Sequence, residues 1–190
     1  MSEISYIGLD ISTSIIGICF LDKNEDIVLL ESINLKKEKC MFNKSFIVKE
    51  RLEFYKNNLS FCKDLKISIE EPFQSFSKGF SSANTIAQLN KFNGIVSFLV
   101  YNIFNVKPIY INVNSARKNL QIKINKKLTI NTKEQIFLWV KDRIDFNWPE
   151  KVISRGPNKG RVKFDESCYD MSDAYVICKA IKYHDTTNKQ

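Results

Sequence analysis

The stretch Ile4-Ser5-Tyr6-Ile7-Gly8-Leu9-Asp10-Ile11 decides how this chain is read. It is an apolar run of strand length with an acid set near its end. Asp has poor strand propensity, and a carboxylate among apolar residues is costly unless something compensates its charge. A second run, Leu65-Lys66-Ile67-Ser68-Ile69-Glu70, also ends in an acid, and an acidic pair stands in Asp170-Met171-Ser172-Asp173-Ala174-Tyr175. Acids far apart in sequence, each in apolar surroundings, point to one shared compensator. A divalent cation is the simplest candidate.

Working outward, residues 15–21 read as a second strand after the Ser12-Thr13-Ser14 turn, and residues 26–35 as a third, forming an antiparallel meander. Residues 43–60 read as a charged helix and 65–70 as a short buried fourth strand. Pro72 cannot continue a central strand, and the Ser-, Phe- and Gly-rich residues 73–82 read as a loop. Ile86, Leu89, Phe92, Val96, Leu99, Val100 and Ile103 recur at helical spacing and predict a helix over 83–104. Residues 107–113 read as a fifth strand and 114–120 as a short helix. Thr132, with Gln135 three residues on, fits a capping box for a helix to about Ile144. Residues 147–164, with Pro149, Gly156, Pro157 and Gly160, read as an irregular, mobile, basic loop; the last helix spans about 166–183. The expectation is a mixed α/β fold with a five-stranded sheet, one domain over 1–190.

With 190 residues, 44% of them hydrophobic, the chain can bury a real core. No apolar segment approaches the roughly 20 residues that span a bilayer, and Met-Ser-Glu-Ile is no signal peptide. A soluble, intracellular protein is expected. Lys plus Arg number 29 against 21 Asp plus Glu, a net charge of +8. That sum includes the candidate metal-binding acids, so the remaining surface is more basic still, and nucleic acid is its natural partner. Cys19, Cys40, Cys62, Cys168 and Cys178 have no zinc-type spacing and read as reduced thiols. Cys19 and Cys178 are expected in the core. His184 is expected in an idle polar tail after the last helix.

Two divalent ions can clamp the attacking and leaving oxygens of a phosphodiester, and hard ions such as magnesium take oxygen ligands. Asp10 and Glu70 would come from strands, Asp170 and Asp173 from one face of a helix. Neighbours in a strand face opposite sides, so only one of Glu70 and Glu71 can reach the centre; the residues alone leave that choice open. Arg117, Lys118, Lys123, Lys126, Lys127 and Lys133 form one basic cluster, and Arg155, Lys159, Arg161 and Lys163 a second. Such side chains neutralise phosphates without reading sequence, although a solvated surface is the plain reading of any single lysine.

Taken together, Ile7-Gly8-Leu9-Asp10-Ile11-Ser12-Thr13-Ser14 with Gly17, then Ile69-Glu70-Glu71-Pro72-Phe73, the helix from Ala87-Gln88-Leu89 to Gly94-Ile95-Val96, and Asp170-Met171-Ser172-Asp173-Ala174 resemble the RuvC-like Holliday junction resolvases of the RNase H superfamily, most of all phage- or virus-type members. The resemblance extends in order and spacing over most of the chain. It implies an RNase H-like fold and a metal-dependent endonuclease that resolves junctions by paired nicks in recombination and repair. It makes Asp10, Glu70, Asp170 and Asp173 the catalytic, metal-binding acids, favouring Glu70 over Glu71. It implies two Mg2+ ions per active site, with Mn2+ able to substitute. It places Phe73 at the junction centre, with Phe76 and Phe80 as rivals and a core phenylalanine as the plain reading. It implies four-way DNA as partner and a homodimer with the 83–104 helix as its face, working in the cytoplasm or nucleoid, or inside a host cell. Pro72 and residues 147–164 depart from the compact bacterial pattern. Three other readings stand beside it. One is a nuclease of this fold acting on flaps, forks or RNA. Another is a DNA- or protein-binding module that does not cut. The third is an actin- or sugar-kinase-like ATPase, for which the chain is short and lacks a second Gly-rich phosphate loop.

Overall fold

The computed structural model describes residues 2–72 and 83–187, with side chains to 184. The expected loop 73–82, with Phe73, Phe76 and Phe80, lies outside the described residues. Strands β1 (Ile4–Ile11), β2 (Ile15–Asp22) and β3 (Ile27–Asn34) form the expected antiparallel meander. Helix α1 (Met41–Asn58) leads to β4 (Phe61–Glu70), which lies parallel to β1. Helix α2 (Ala83–Phe104) leads to β5 (Ile109–Ile111), parallel to β4. The order is β3-β2-β1-β4-β5, the expected mixed five-stranded sheet.

Strand alternation divides the core into two. Ile7, Leu9 and Ile11 of β1, with Ile67 and Ile69 of β4, pack on Val48 and Leu52 of α1 and on Phe92, Val96 and Val100 of α2. The other face is covered by α3 (Val113–Asn119), α4 (Thr132–Lys141) and α5 (Ser167–Thr187). Helix α5 lies directly on β1 and β2 and is mostly buried from Cys168 to Ile181. Small residues on the sheet permit that approach. A Cβ on Gly8 would lie 2.4 Å from the Cβ of Cys178, and the Ser68 hydroxyl bonds the carbonyls of Ile7 and Ile177, each at 3.1 Å. At its far end α5 is held by Lys179 and Lys182, both paired with Glu25 in the β2–β3 turn.

Several expectations need correction. Strand β4 begins at Phe61, and exposed Lys63 and Asp64 fall within it, where a bulge shifts its pairing with β1 between Ile4 and Tyr6. The N-cap of α4 is Asn131 and not Thr132; its side-chain oxygen accepts from the Glu134 amide at 2.9 Å. Gln135 braces the preceding loop instead, accepting from the Asn125 amide at 2.8 Å and donating to the carbonyls of Asn125 and Ile130. Helix α4 ends at Lys141, short of Ile144. Residues 147–164 are not irregular throughout: β6 (Glu150–Val152) and β7 (Val162–Phe164) form an antiparallel hairpin. Gly156 and Gly160, at φ of 82° and 88°, supply the left-handed turns between them. Lys151 ties the hairpin base to Asp165 and Glu166. His184 belongs to α5 and is half-buried, so it is no tail residue. Cys19 and Cys178 are buried as expected, and all five cysteines are free thiols. Among the described residues, no helix is long and apolar enough to cross a membrane.

Candidate active site

The site follows from strand parity. Ile7, Leu9 and Ile11 face α1 and α2, so Gly8 and Asp10 face α5. In β4, Ile67 and Ile69 face the same way, which turns Ser68 and Glu70 toward α5. The parallel register pairs Gly8 with Ser68 and Leu9 with Ile69, setting Asp10 beside Glu70 where both strands end. Each carboxyl lies close enough to shift the other's pKa. From above, the first turns of α5 present Asp170 and Asp173, one helical turn apart. The four acids expected from sequence therefore lie close enough to feel one another's charge. Glu71 is turned elsewhere: its carboxylate accepts from the Asn112 side chain at 3.1 Å and lines a separate cleft with Tyr110 and His184.

Like charges in a buried space resist ionisation. Asp10, Asp170 and Asp173 are only 8%, 9% and 6% exposed. Burial, then the charge of Glu70, raises the Asp10 carboxyl well above the usual range. Burial, then Asp10, pushes Asp173 up to about 7. Burial also raises Glu70 and Asp170. One cation already answers this charge. The Lys133 ammonium stands 3.2 Å from Asp170 Oδ1 and 3.9 Å from Asp173 Oδ2. Burial pulls its own pKa down, but Asp170, Asp10 and Asp173 outweigh that and raise it. Sequence reasoning placed Lys133 among phosphate contacts. Its position as the second residue of α4 carried the missed signal, because a lysine in a helix's first turn opposes the macrodipole and calls for an acidic partner.

The donor chemistry fits hard divalent cations. All four acids offer oxygen, and Asp173 Oδ1 is buried with no hydrogen-bond partner among the described residues. As they stand, no three His, Cys, Asp or Glu side chains among the described residues are gathered to hold an ion. Lys133 neutralises part of their charge instead.

Beside the acids opens a cleft of about 730 Å³ lined by Asn114, Arg117, Lys118, Gln121, Ile122, Lys123, Ile124, Lys126 and Thr132. Arg117 joins the cleft to the acids, since its charge lowers the pKa of both Glu70 and Asp173. Lys127 is exposed but is not part of the lining. Arg155, Lys159, Arg161 and Lys163 are exposed on the β6–β7 hairpin and are not part of the cleft lining.

No protein-family model matches this chain, and no curated protein matches it. Solved structures do. The structure described as T. thermophilus RuvC in complex with Holliday junction substrate is similar with a TM-score of 0.61 at 10% identity, covering 97% of this chain and 96% of that one. The Thermus thermophilus RuvC structure is similar with a TM-score of 0.54 at 10% identity, covering 96% of this chain and 95% of that one. At such identity the likeness is one of fold: the mixed sheet with its flanking helices is RuvC-like, of the RNase H kind.

Proposed function

We propose that this protein is a divalent-metal-dependent endonuclease for branched DNA, and specifically a Holliday junction resolvase. The observation that carries the reading is the mutual charge interaction of Asp10, Glu70, Asp170 and Asp173, two of which also feel Arg117 of a basic cleft. Likeness of fold over nearly the whole chain to a RuvC bound to its junction supports the substrate class.

The four acids would hold the cations, which when bound supply the charge that activates water and stabilises a leaving oxygen. The chain's own residues do the rest. Arg117, Lys118, Lys123 and Lys126 hold the phosphate backbone and bring one strand to the acids. Burial raises both the Asp10 and the Glu70 carboxyl, so each must give up its proton before both serve as anionic ligands. Lys127, Arg155, Lys159, Arg161 and Lys163 hold DNA arms further out. A homodimer would place two such sites for paired nicks. Helix α2 as its face is supported by the exposed side chains of Phe98 and Tyr101. The motif around Asp10 and the basic hairpin favour a phage- or virus-type member, working inside a cell where recombining DNA is found.

The test is cleavage of labelled four-way, fork, flap and duplex substrates in magnesium and in manganese. Paired symmetric nicks in the four-way junction, lost in Asp10→Asn, are expected. Preferred cutting of flaps or forks would reassign the substrate, and binding without cleavage in either metal would leave a DNA-binding module.

A further inference from the structure

We propose that Lys133 is a built-in counter-ion of the acid site, a positioning residue that holds Asp170 and Asp173 in the metal-free protein and that divalent cations must displace. The inference rests on the reading that the four acids bind such cations.

Three observations carry it. The ammonium lies between two of the four acids, 3.2 Å from Asp170 and 3.9 Å from Asp173. The lysine comes from α4, which packs along α5, so the contact joins two elements rather than neighbours in one helix. Its side chain is 55% exposed while those of Asp170 and Asp173 are 12% and 7% exposed. The acids are therefore fixed by the fold, and the lysine closes their mouth on a flexible stem that can swing into solvent. A lysine there stabilises clustered carboxylates when no other cation is present. For the same reason it repels an arriving divalent ion. Removing its charge strengthens metal binding and weakens the empty protein. Thr132, the residue before it, lines the basic cleft, so a displaced Lys133 moves toward phosphate-binding ground.

The test is isothermal titration of the full chain with Mn2+ at about pH 8.5, where carboxylates in general are ionised, on the wild type, Lys133→Met, Lys133→Gln and Lys133→Arg. Thermal melts in chelator run alongside. Met and Gln variants should bind Mn2+ at least about tenfold more tightly and melt lower in chelator, while the Arg variant stays near wild type in both. A crystal structure of the Mn2+-loaded wild type should show the Lys133 ammonium away from Asp170; that readout needs no variant to fold. Unchanged or weaker Mn2+ binding by both neutral variants, or a Lys133–Asp170 pair that persists beside bound ions, overturns this inference and leaves the metal site standing. If no chain, variant or wild type, takes up Mn2+, the metal-site reading itself falls and takes the inference with it.

Discussion

Gly17 of β2 lies against the backbone of Asp170: a Cβ on Gly17 would stand 1.9 Å from the Asp170 carbonyl oxygen. Asp10 pairs with Gly17 across the β1–β2 ladder. The missing side chain is therefore what lets the start of α5 descend until Asp170 and Asp173 reach the level of Asp10. Gly17→Ala would press on backbone, which cannot rotate aside. It should cost at least the roughly 1–3 kcal/mol typical of overpacking, and should separate the acids. Gly94 in α2 is the control, with nothing within 4 Å of its added Cβ. Gly94→Ala should stabilise the chain by roughly 0.5–1 kcal/mol through helix propensity. Urea melts of both variants decide the matter. A neutral Gly17→Ala would mean that α5 has slack to move.

The acids predict opposite effects on stability and on cleavage. Asp10→Asn, Glu70→Gln and Asp173→Asn keep shape and lose charge in a crowded anionic pocket. Each should raise the melting temperature in chelator near neutral pH and abolish cleavage, because amides do not supply the charge that holds divalent ions. Glu71→Gln should cut nearly as well as wild type, since that side chain is engaged by Asn112 outside the pocket. A dead Glu71→Gln with an active Glu70→Gln would exchange their roles.

Without metal, stability should fall as pH rises. The folded Asp173 carboxyl sits at about 7, above the roughly 4 of an unfolded aspartate. The folded state thus binds that proton more tightly, and its stabilisation is complete below about pH 4 and lost as pH climbs through about 7. Asp10, Glu70 and Asp170 are raised too and act in the same sense. The loss should be on the order of a few kcal/mol. Asp173→Asn should flatten the profile. Mn2+ should reverse it, since cations bind the ionised acids. A chelator profile that is level from about pH 5 to about pH 8 would remove the electrostatic strain from the account.

Much of this was legible because burial writes itself into alternation. Ile7, Leu9 and Ile11 marked one face of a strand, and that pattern alone set Asp10 on the other. The β6–β7 hairpin was not legible. Its strands are three residues each and mostly exposed, so Glu150-Lys151-Val152 and Val162-Lys163-Phe164 carry too few apolar positions to show a period. Its anchoring is tertiary, through Trp148 and Phe164 packed edge-to-face with Phe137, ring centres 5.0 Å apart in each pair. Asn131 is hard to tell from Thr132 in sequence because adjacent Asn and Thr are both good caps and only backbone geometry separates them. Lys133 was only half legible: its place in the first turn of α4 hints at an acidic partner, but a sequence does not record which way a long side chain reaches.

The two basic patches should differ in kind. Lysine and arginine side chains that bind phosphates release counter-ions, so each phosphate interaction removed from duplex lowers the slope of log K against log salt by roughly 0.9. Changing Arg155, Lys159, Arg161 and Lys163 to Gln should flatten that slope and weaken every branched substrate by a similar factor. Saturating DNA should then restore the cleavage rate, because none of the four lines the cleft. Changing Arg117, Lys118, Lys123 and Lys126 to Gln should flatten the slope as well, but saturation should not restore the rate. Arg117 lies close enough to Glu70 and Asp173 to lower both their pKa values, so its loss disturbs the reacting centre and not only the grip on DNA. Binding measured across a salt series, with single-turnover cleavage at saturating junction, separates the two. An unchanged slope in the hairpin variant would make those four residues a solvated surface. Full recovery of rate in the cleft variant would reduce the cleft to an outer docking strip, and the path of the scissile strand would then have to approach the acids from another side.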